Sequence, residues 1–285
     1  MEETYSESAH LDPGAARQPV HDRGSRAYQP PVDRQRLKLL TYNIQVGIET
    51  GAYHHYVTRG WRHFLPSPTR QRNLDRIAEM LGGYDVVALQ EADAGSLRSG
   101  NVNQVEYLAQ KAGFPYWYVQ VNRNLRIARH SLGLLTRYRP HSIVEHRLPG
   151  LFPGRGAMVV RYGEDRYDAL FLVIVHLALG RRSRQRQLEY LRRMVSEHEH
   201  VIIMGDMNVH TQGVIEDSPL RHTRLRSATP ALASYPSWRP RRGLDHILVS
   251  PGLEVHDARA LSGAVSDHLP VTLEVSLPHR IRLLR

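Results

Sequence analysis

The chain has no cysteine, which removes disulfides and thiol chemistry from consideration and says little about compartment. Lysine is almost as scarce: only Lys38 and Lys111 stand among 38 basic residues, and the rest are arginine. So one-sided a choice of cation reflects genomic base composition as readily as a nucleic-acid partner, and by itself supports neither. No apolar run approaches the roughly 18 residues of a spanning helix, so none is expected. The opening stretch MEETYSESAHLDPGAARQPV has no apolar h-region, so no signal peptide is expected either. The localisation these absences suggest is cytoplasmic, with room for peripheral contact at the inner membrane surface. Internal repeats of solenoid length are also missing.

What is present is a chain of 285 residues, 41% of them apolar, enough for a sizeable core in one large layered domain. The formal net charge is +10, and the arginines cluster: RRSRQRQLEYLRR (181–193) sets six against Glu189, and RHTRLR (221–226), RPRR (239–242) and the terminal HRIRLLR add more. A positive field favours anionic substrates or surfaces, although any one cluster is more simply a solvated helix face or loop. Residues 1–36 are rich in Pro, Gly, Ser and charge without apolar periodicity and read as a disordered tail. A domain over 37–277 and a basic C-terminal tail over 278–285 complete the expected organisation.

From Leu37 strand and helix patterns alternate. RLKLLTYNI, DVVALQE, YWYVQV, LGLLTR, AMVVRY, DALFLVIVH, HVIIMGD, LDHILVS and PVTLEV read as strands. TRQRNLDRIAEMLGG spaces Leu74, Ile77, Ala78 and Leu81 as a helix with a Gly-Gly stop. NVNQVEYLAQKAG gathers Val102, Val105, Leu108 and Ala109, with Asn101 as expected N-cap and Gly113 as stop. Ser183 is the expected cap of a third helix carrying Leu188, Leu191, Met194 and Val195. Many strands and few helices predict an α/β fold of two packed sheets flanked by helices.

The best strands end in residues of catalytic type: TYNI in Asn43, VVALQE in Glu91, FLVIVH in His176 and VIIMGDMN in Asp206 and Asn208. Asp245 opens DHILV, and SDHLP presents Asp267 and His268. Asp206 and Asn208 lie two apart, so an extended backbone would turn both to one side. Taken singly, each is more simply a turn former or a buried polar residue. What resists that account is their recurrence, in order, from Asn43 to His268.

In that order TYNI, LQE, VHL, GDMN, LDHILV and SDHLP resemble the motifs of the endonuclease/exonuclease/phosphatase superfamily. DNase I-like nucleases, exonuclease III-like abasic endonucleases, inositol polyphosphate 5-phosphatases and neutral sphingomyelinases belong to it. The resemblance spans about residues 37–277. It implies a four-layer α/β sandwich, two mixed β-sheets packed face to face and flanked by helices, with a phosphoester-hydrolysing site at one edge. It implies Mg²⁺, with Mn²⁺ as a possible substitute, since such chemistry needs a hard cation and a positioned water. Glu91 is the first candidate ligand, with Asn43 supplying an amide oxygen and Asp267 a second carboxylate. Asp206 fits the orienting of the attacking water and Asn208 a donor to phosphoryl oxygens. His268 would face the phosphate, paired with Asp245 so that its tautomer is fixed and its cation favoured. His176 matches the family's "HL" histidine and could donate to the phosphate or the leaving oxygen; a buried structural histidine is the alternative.

Two positions depart from the family pattern. Gln45 stands where the nucleases often carry an acid, which argues against a fixed second metal there. Leu132 in SLGLLTR stands where many members have Asn, leaving Ser131 or Arg137 to compensate. Arg98, Arg123 and Arg155 are the candidate substrate-binding cations. The loop from Gly47 to Arg70, with Tyr53, Tyr56, Trp61 and Phe64 among histidines and arginines, suits anionic lipid headgroups or stacked bases. The leading expectation is therefore hydrolysis of a lipid headgroup or other small phosphoester, with an anionic membrane surface as partner. A DNA endonuclease or exonuclease of the same fold is the second reading. A non-catalytic scaffold on anionic membranes is the third.

Overall fold

The computed structural model describes residues 21–22, 36–47, 68–125, 128–150, 154–164, 168–230 and 232–285. Its elements in chain order are β1 (His21–Asp22), β2 (Arg36–Asn43), α1 (Pro68–Leu81), β3 (Val86–Asp93), α2 (Gln104–Ala112), β4 (Tyr116–Leu125), β5 (Ala128–Thr136), β6 (Ser142–Arg147), β7 (Gly156–Tyr162), β8 (Leu170–His176), α3 (Arg181–Val195), β9 (His200–Asp206), β10 (Arg226–Ser227), β11 (Asp245–Val249), β12 (Glu254–Ala260) and β13 (Val271–Ser276). Sheet 1 has the order β1-β4-β5-β3-β2-β13-β12 and sheet 2 the order β10-β11-β9-β8-β7-β6. Each sheet contains one parallel pair, β2/β3 in the first and β8/β9 in the second; every other pairing is antiparallel.

Alternation along the strands builds four layers. Leu37 and Leu39 of β2, Leu172 and Ile174 of β8, and Ile202 and Met204 of β9 point between the sheets into one core. The intervening residues face outward. Leu40, Tyr42, Val87 and Leu89 pack under α1 and α2 through Leu74, Ile77, Leu81, Val105 and Leu108. Phe171, Val173, Val201 and Ile203 pack under α3 through Leu188 and Leu191. Helix and strand periodicity in the sequence thus identified the layers correctly. No helix among the described residues is long and apolar enough to cross a membrane.

Several local expectations need correction. Asn103, not Asn101, caps α2, accepting from the amides of Val105 at 3.2 Å and Glu106 at 3.4 Å; Asn101 is in the left-handed region, with φ 62°. The third helix begins at Arg181 with Gly180 as its cap, ahead of Ser183. Gln187 supplies a bond from inside that helix by accepting from the Ala178 amide at 2.8 Å. Strands β6 and β12 escaped the sequence reading because they are edge strands with charged residues in a half-exposed pattern. Residues 278–285, expected as a basic tail, are packed: Ile281 and Leu283 alternate with the arginines and are buried in the intersheet core. Of the tail expected over 1–36, His21–Asp22 pair with Trp117 and Tyr116 and Arg36 opens β2. The remainder lies outside the described residues, as does 48–67, with the aromatic residues of that loop.

Candidate active site

Strand parity decides what meets at the edge of the sandwich. Residues 39, 41 and 43 share one face of β2, residues 172, 174 and 176 one face of β8, and residues 202, 204 and 206 one face of β9. The apolar members of these series fill the intersheet core, so Asn43, His176 and Asp206 enter the same seam where the sheets end. Asp245, opposite Asp206 in the β11/β9 ladder, joins them.

Asn43 donates its Nδ2 to Asp206 Oδ2 at 3.2 Å, and its Oδ1 accepts from the Gln45 amide at 3.1 Å. The amide oxygen expected to bind metal is thus directed to the backbone, and Asn43 acts here as a donor to a carboxylate. The 266–268 segment is tied to the same strand end, since Ser266 Oγ donates to the Asn43 carbonyl at 2.7 Å. Asp267 is buried beside it and accepts from Ser266 Oγ at 3.2 Å.

Glu91 arrives differently. Asn43 pairs with Gln90, and the β3/β5 register breaks between Leu89 and Ala92. Glu91 sits in that break with φ 56°, which turns its side chain into the cleft, 31% exposed. Burial, followed by the charge of Asp267, raises its pKa above the ordinary carboxylate value.

Asp206 is 2% exposed in its side chain. Its Oδ1 accepts from the Asn208 amide at 3.0 Å, so the Asp-x-Asn turn also fixes the Asp206 carboxylate. Asn208, with φ 52°, donates Nδ2 to the Leu177 carbonyl at 3.0 Å. Burial above all, together with the neighbouring acids, pushes Asp206 up to about 7.

His268 Nδ1 lies 2.7 Å from Asp245 Oδ2, as expected for the paired histidine, leaving Nε2 4.0 Å from Asp206. Burial opposes a charge on this ring, but the Asp245 carboxylate outweighs it and holds the pKa well above the usual value. Ser234, which sequence reasoning overlooked, donates Oγ to the same Asp245 oxygen at 2.5 Å, and the Tyr235 ring lies 5.0 Å from the His268 ring. Eleven residues from Asp245 in an irregular loop, Ser234 carries no spacing that would reveal it.

His176 Nε2 is 3.5 Å from Asp206 and 3.8 Å from Glu91. Arg155 Nη1 donates to that same Nε2. Burial first and the Arg155 charge second keep the ring neutral, its pKa well below the usual value. With Nε2 accepting from Arg155, that ring nitrogen is not in this arrangement the donor expected of His176. Arg155 is flanked by two glycines under β4. A Cβ on Gly156 would stand 2.0 Å from Asn122 Oδ1 and 2.7 Å from Gln120 Nε2, and one on Gly154 would stand 3.4 Å from Arg123 Cβ. Asn122 and Gln120 thus pack their carboxamides against Gly156, with Gln120 Nε2 donating to the His146 carbonyl at 3.1 Å, and Leu132 is buried in the core.

The suggested compensators for Leu132 are engaged elsewhere. Ser131 Oγ donates to the Ala92 carbonyl at 2.9 Å. Arg137 donates to the carbonyls of Tyr84, Gly113 and Gly82, fastening helix ends far from the cleft. Arg123 is exposed on the rim. Arg98 lies in the turn Leu97–Ser99 after β3, and its side chain is outside the described set.

Four carboxylates, Glu91, Asp206, Asp245 and Asp267, therefore face two cations, His268 and Arg155. Such an excess of buried negative charge with oxygen donors suits a hard divalent ion. Ligand atoms of Asp206, Asp245 and His268 lie within 4.8 Å of one another and could hold a metal. The Asp245–His268 hydrogen bond engages Asp245 Oδ2 and His268 Nδ1, and Glu91 and Asp267 bring two further carboxylates to the same cleft.

Two packed mixed sheets, with acids, carboxamides and histidines gathered at one edge, make this a DNase I-like α/β sandwich. The chain belongs to the Endonuclease/Exonuclease/phosphatase family, whose model matches residues 40–268. A solved endonuclease/exonuclease/phosphatase from Beutenbergia cavernae is similar at 19% identity and a TM-score of 0.66, over 86% of this chain and 72% of that one. A mannosyl-6-phosphatase from Bacteroides thetaiotaomicron is similar at 16% identity and a TM-score of 0.60, over 84% of this chain and 99% of its own. TDP2 from D. rerio, solved with a single-strand DNA product, is similar at 14% identity and a TM-score of 0.58, over 84% and 98%. No curated protein matches the chain in sequence.

Proposed function

We propose that the protein hydrolyses a small phosphoester, a lipid headgroup or a compound of similar size, by attack of a water held on Asp206, in a reaction dependent on Mg²⁺. The observation that carries this reading is the set of partners around Asp206. Asn43 and the Asn208 amide each occupy one oxygen and fix the plane of the carboxylate. A carboxylate held in place and raised to about 7 is matched in basicity to neutral pH, which suits a group that accepts a proton from water. His268, kept cationic by Asp245, and Arg155, placed by the Gly154–Gly156 segment, supply positive hydrogen-bond donors where phosphoryl charge develops. His176 stays neutral and serves as an acceptor that orients Arg155. Glu91 and Asp267 are the residues that would hold the magnesium ion, whose contribution is Lewis-acid stabilisation of oxygen charge.

The test is hydrolysis of bis-p-nitrophenyl phosphate with Mg²⁺ or Mn²⁺, compared with chelator. Turnover is expected with the metals, and Asp206→Asn is expected to lose at least about 10²-fold in kcat. Undiminished turnover in Asp206→Asn removes it from the reaction. Metal-dependent nicking of plasmid or abasic duplex, with no turnover of small phosphoesters, would select the nuclease reading.

A further inference from the structure

Only four large apolar side chains stand exposed among the described residues: Leu97 at 52%, Val121 at 43%, Leu179 at 75% and Leu284 at 39%. Three of them share the edge that carries the site. Val121 pairs with Ser131, which pairs with Ala92, the residue after Glu91. Leu97 opens the turn that follows β3. Leu179 lies three residues past His176.

Two of these leucines are held outward by dedicated frameworks. The turn bearing Leu97 is built on Asp93, which is fully buried and accepts from the Ser96 amide at 2.8 Å, Ser96 Oγ at 2.7 Å and Ser99 Oγ at 3.1 Å. Arg184 donates Nη1 to the carbonyls of Ala178 at 3.1 Å and Leu179 at 2.6 Å. A leucine at the tip of a braced turn cannot fold back to bury itself.

Outside the cleft, the charged side chains on the segments around them are arginines. Segments 94–103, 121–125, 128–131 and 177–186, which surround the three residues, contain seven arginines, no acid and no Phe, Tyr or Trp. Arg123, Arg129, Arg181 and Arg182 are exposed there. Aliphatic side chains projecting from an arginine field match a bilayer, where acyl chains take the leucines and anionic headgroups take the guanidinium groups. Single-stranded nucleic acid would call for aromatic stacking platforms, which these segments do not have.

We infer that this edge docks on an anionic lipid bilayer, so that the cleft opens onto membrane-borne phosphoesters. The inference rests on reading the site as a phosphoester hydrolase for its consequence, and on the rim alone for the contact.

The experiment is co-sedimentation of the full chain with phosphatidylcholine vesicles, with and without about 30 mol% phosphatidylglycerol, alongside turnover of soluble bis-p-nitrophenyl phosphate. The chain is expected to bind the anionic vesicles and to release them as salt rises. The Leu97→Ser/Leu179→Ser and Arg181→Glu/Arg182→Glu variants are each expected to lose at least tenfold in vesicle partitioning while hydrolysing the soluble ester as the parent does. No binding by the parent, equal binding by both variants, or capture of an oligonucleotide in preference to vesicles overturns the docking surface. Vesicle binding lost in the variants but without any soluble turnover in the parent supports the docking surface and overturns the hydrolase reading. Soluble turnover without vesicle binding does the reverse.

Discussion

The two parallel strand pairs solve the same problem in different ways. In sheet 1, β2 and β3 flank α1 in the chain; in sheet 2, β8 and β9 flank α3. Each pair delivers an acid to the cleft. The β8/β9 ladder stays in register to its last rung, His176 opposite Asp206, and buries its acid. Its tight closure depends on Gly205, whose φ is 147° and whose missing Cβ would stand 2.0 Å from the Val175 carbonyl oxygen. The β2/β3 ladder ends one rung earlier, at Asn43 and Gln90, and the break beside it turns Glu91 outward. A flush strand end gives a carboxylate with 2% of its side chain exposed, suited to a proton; a bulged end gives one that keeps 31% exposed and can reach an ion.

If that division holds, the two acids should fail in different ways when neutralised. Asp206→Asn should lose about 10²–10⁴-fold in kcat, and more metal should not restore it. Glu91→Gln should lose activity at low metal and recover part of it as Mn²⁺ is raised, because its defect is in holding the ion. Titrating turnover against metal for both variants is the measurement. Identical metal curves would erase the distinction between the bulged and flush ends.

Gly205→Ala probes the flush end through the backbone. A methyl group there meets main chain rather than a movable side chain, in a conformation that L-residues rarely adopt. The expected loss is about 2–5 kcal/mol of stability, read as a lower denaturation midpoint, with turnover reduced as Asp206 shifts. An unchanged midpoint would mean that the strands can part at this rung without cost. No equivalent effect is expected from Gly83→Ala, at the turn before β3, where an added Cβ meets nothing within 4 Å.

This contrast also separates what could be read in the sequence from what could not. Asn43, His176 and Asp206 were legible as the polar ends of TYNI, FLVIVH and VIIMGD, but the parity that sets them on inner faces shows only in the packed strands, since FLVIV and VIIM are apolar on both faces. The same parity points to Gln90, not Glu91, and only the register break reconciles the two; a bulge has no composition signal in LQEAD. The pairing of His268 with Asp245 followed from the family motifs and is present at 2.7 Å. Neither Arg155 against His176 nor Asn122 over Gly156 could be read from spacing: the first depends on the β7/β8 register, which sets Gly156 opposite His176, and the second joins strands that meet only when the two sheets pack. The apolar alternation in HRIRLLR was visible, but its charge concealed it.

The smallest effect concerns the far ends of the same two pairs. The first is closed by Asp85, whose carboxylate accepts from the Lys38 amide at 2.9 Å. The second is closed by His200, 2% exposed, whose Nε2 lies 2.8 Å from Arg280 Nη2. Burial, and after it the Arg280 charge, holds the His200 pKa below the ordinary histidine value. The unfolded chain then binds a proton more readily than the folded one in the interval between the two values. Stability from this group is complete above the ordinary value near 6.5 and is lost as pH falls through it toward the lowered one. The denaturation midpoint should therefore drop between pH 7 and pH 5, and drop less in His200→Gln. Hydrogen exchange, corrected for intrinsic rates, should place the acid-induced loss at the Leu170/His200 end of sheet 2. The Leu39/Val86 end of sheet 1, which has no histidine, should keep its protection. Equal acid loosening at both ends would show that His200 is not what couples this fold to pH.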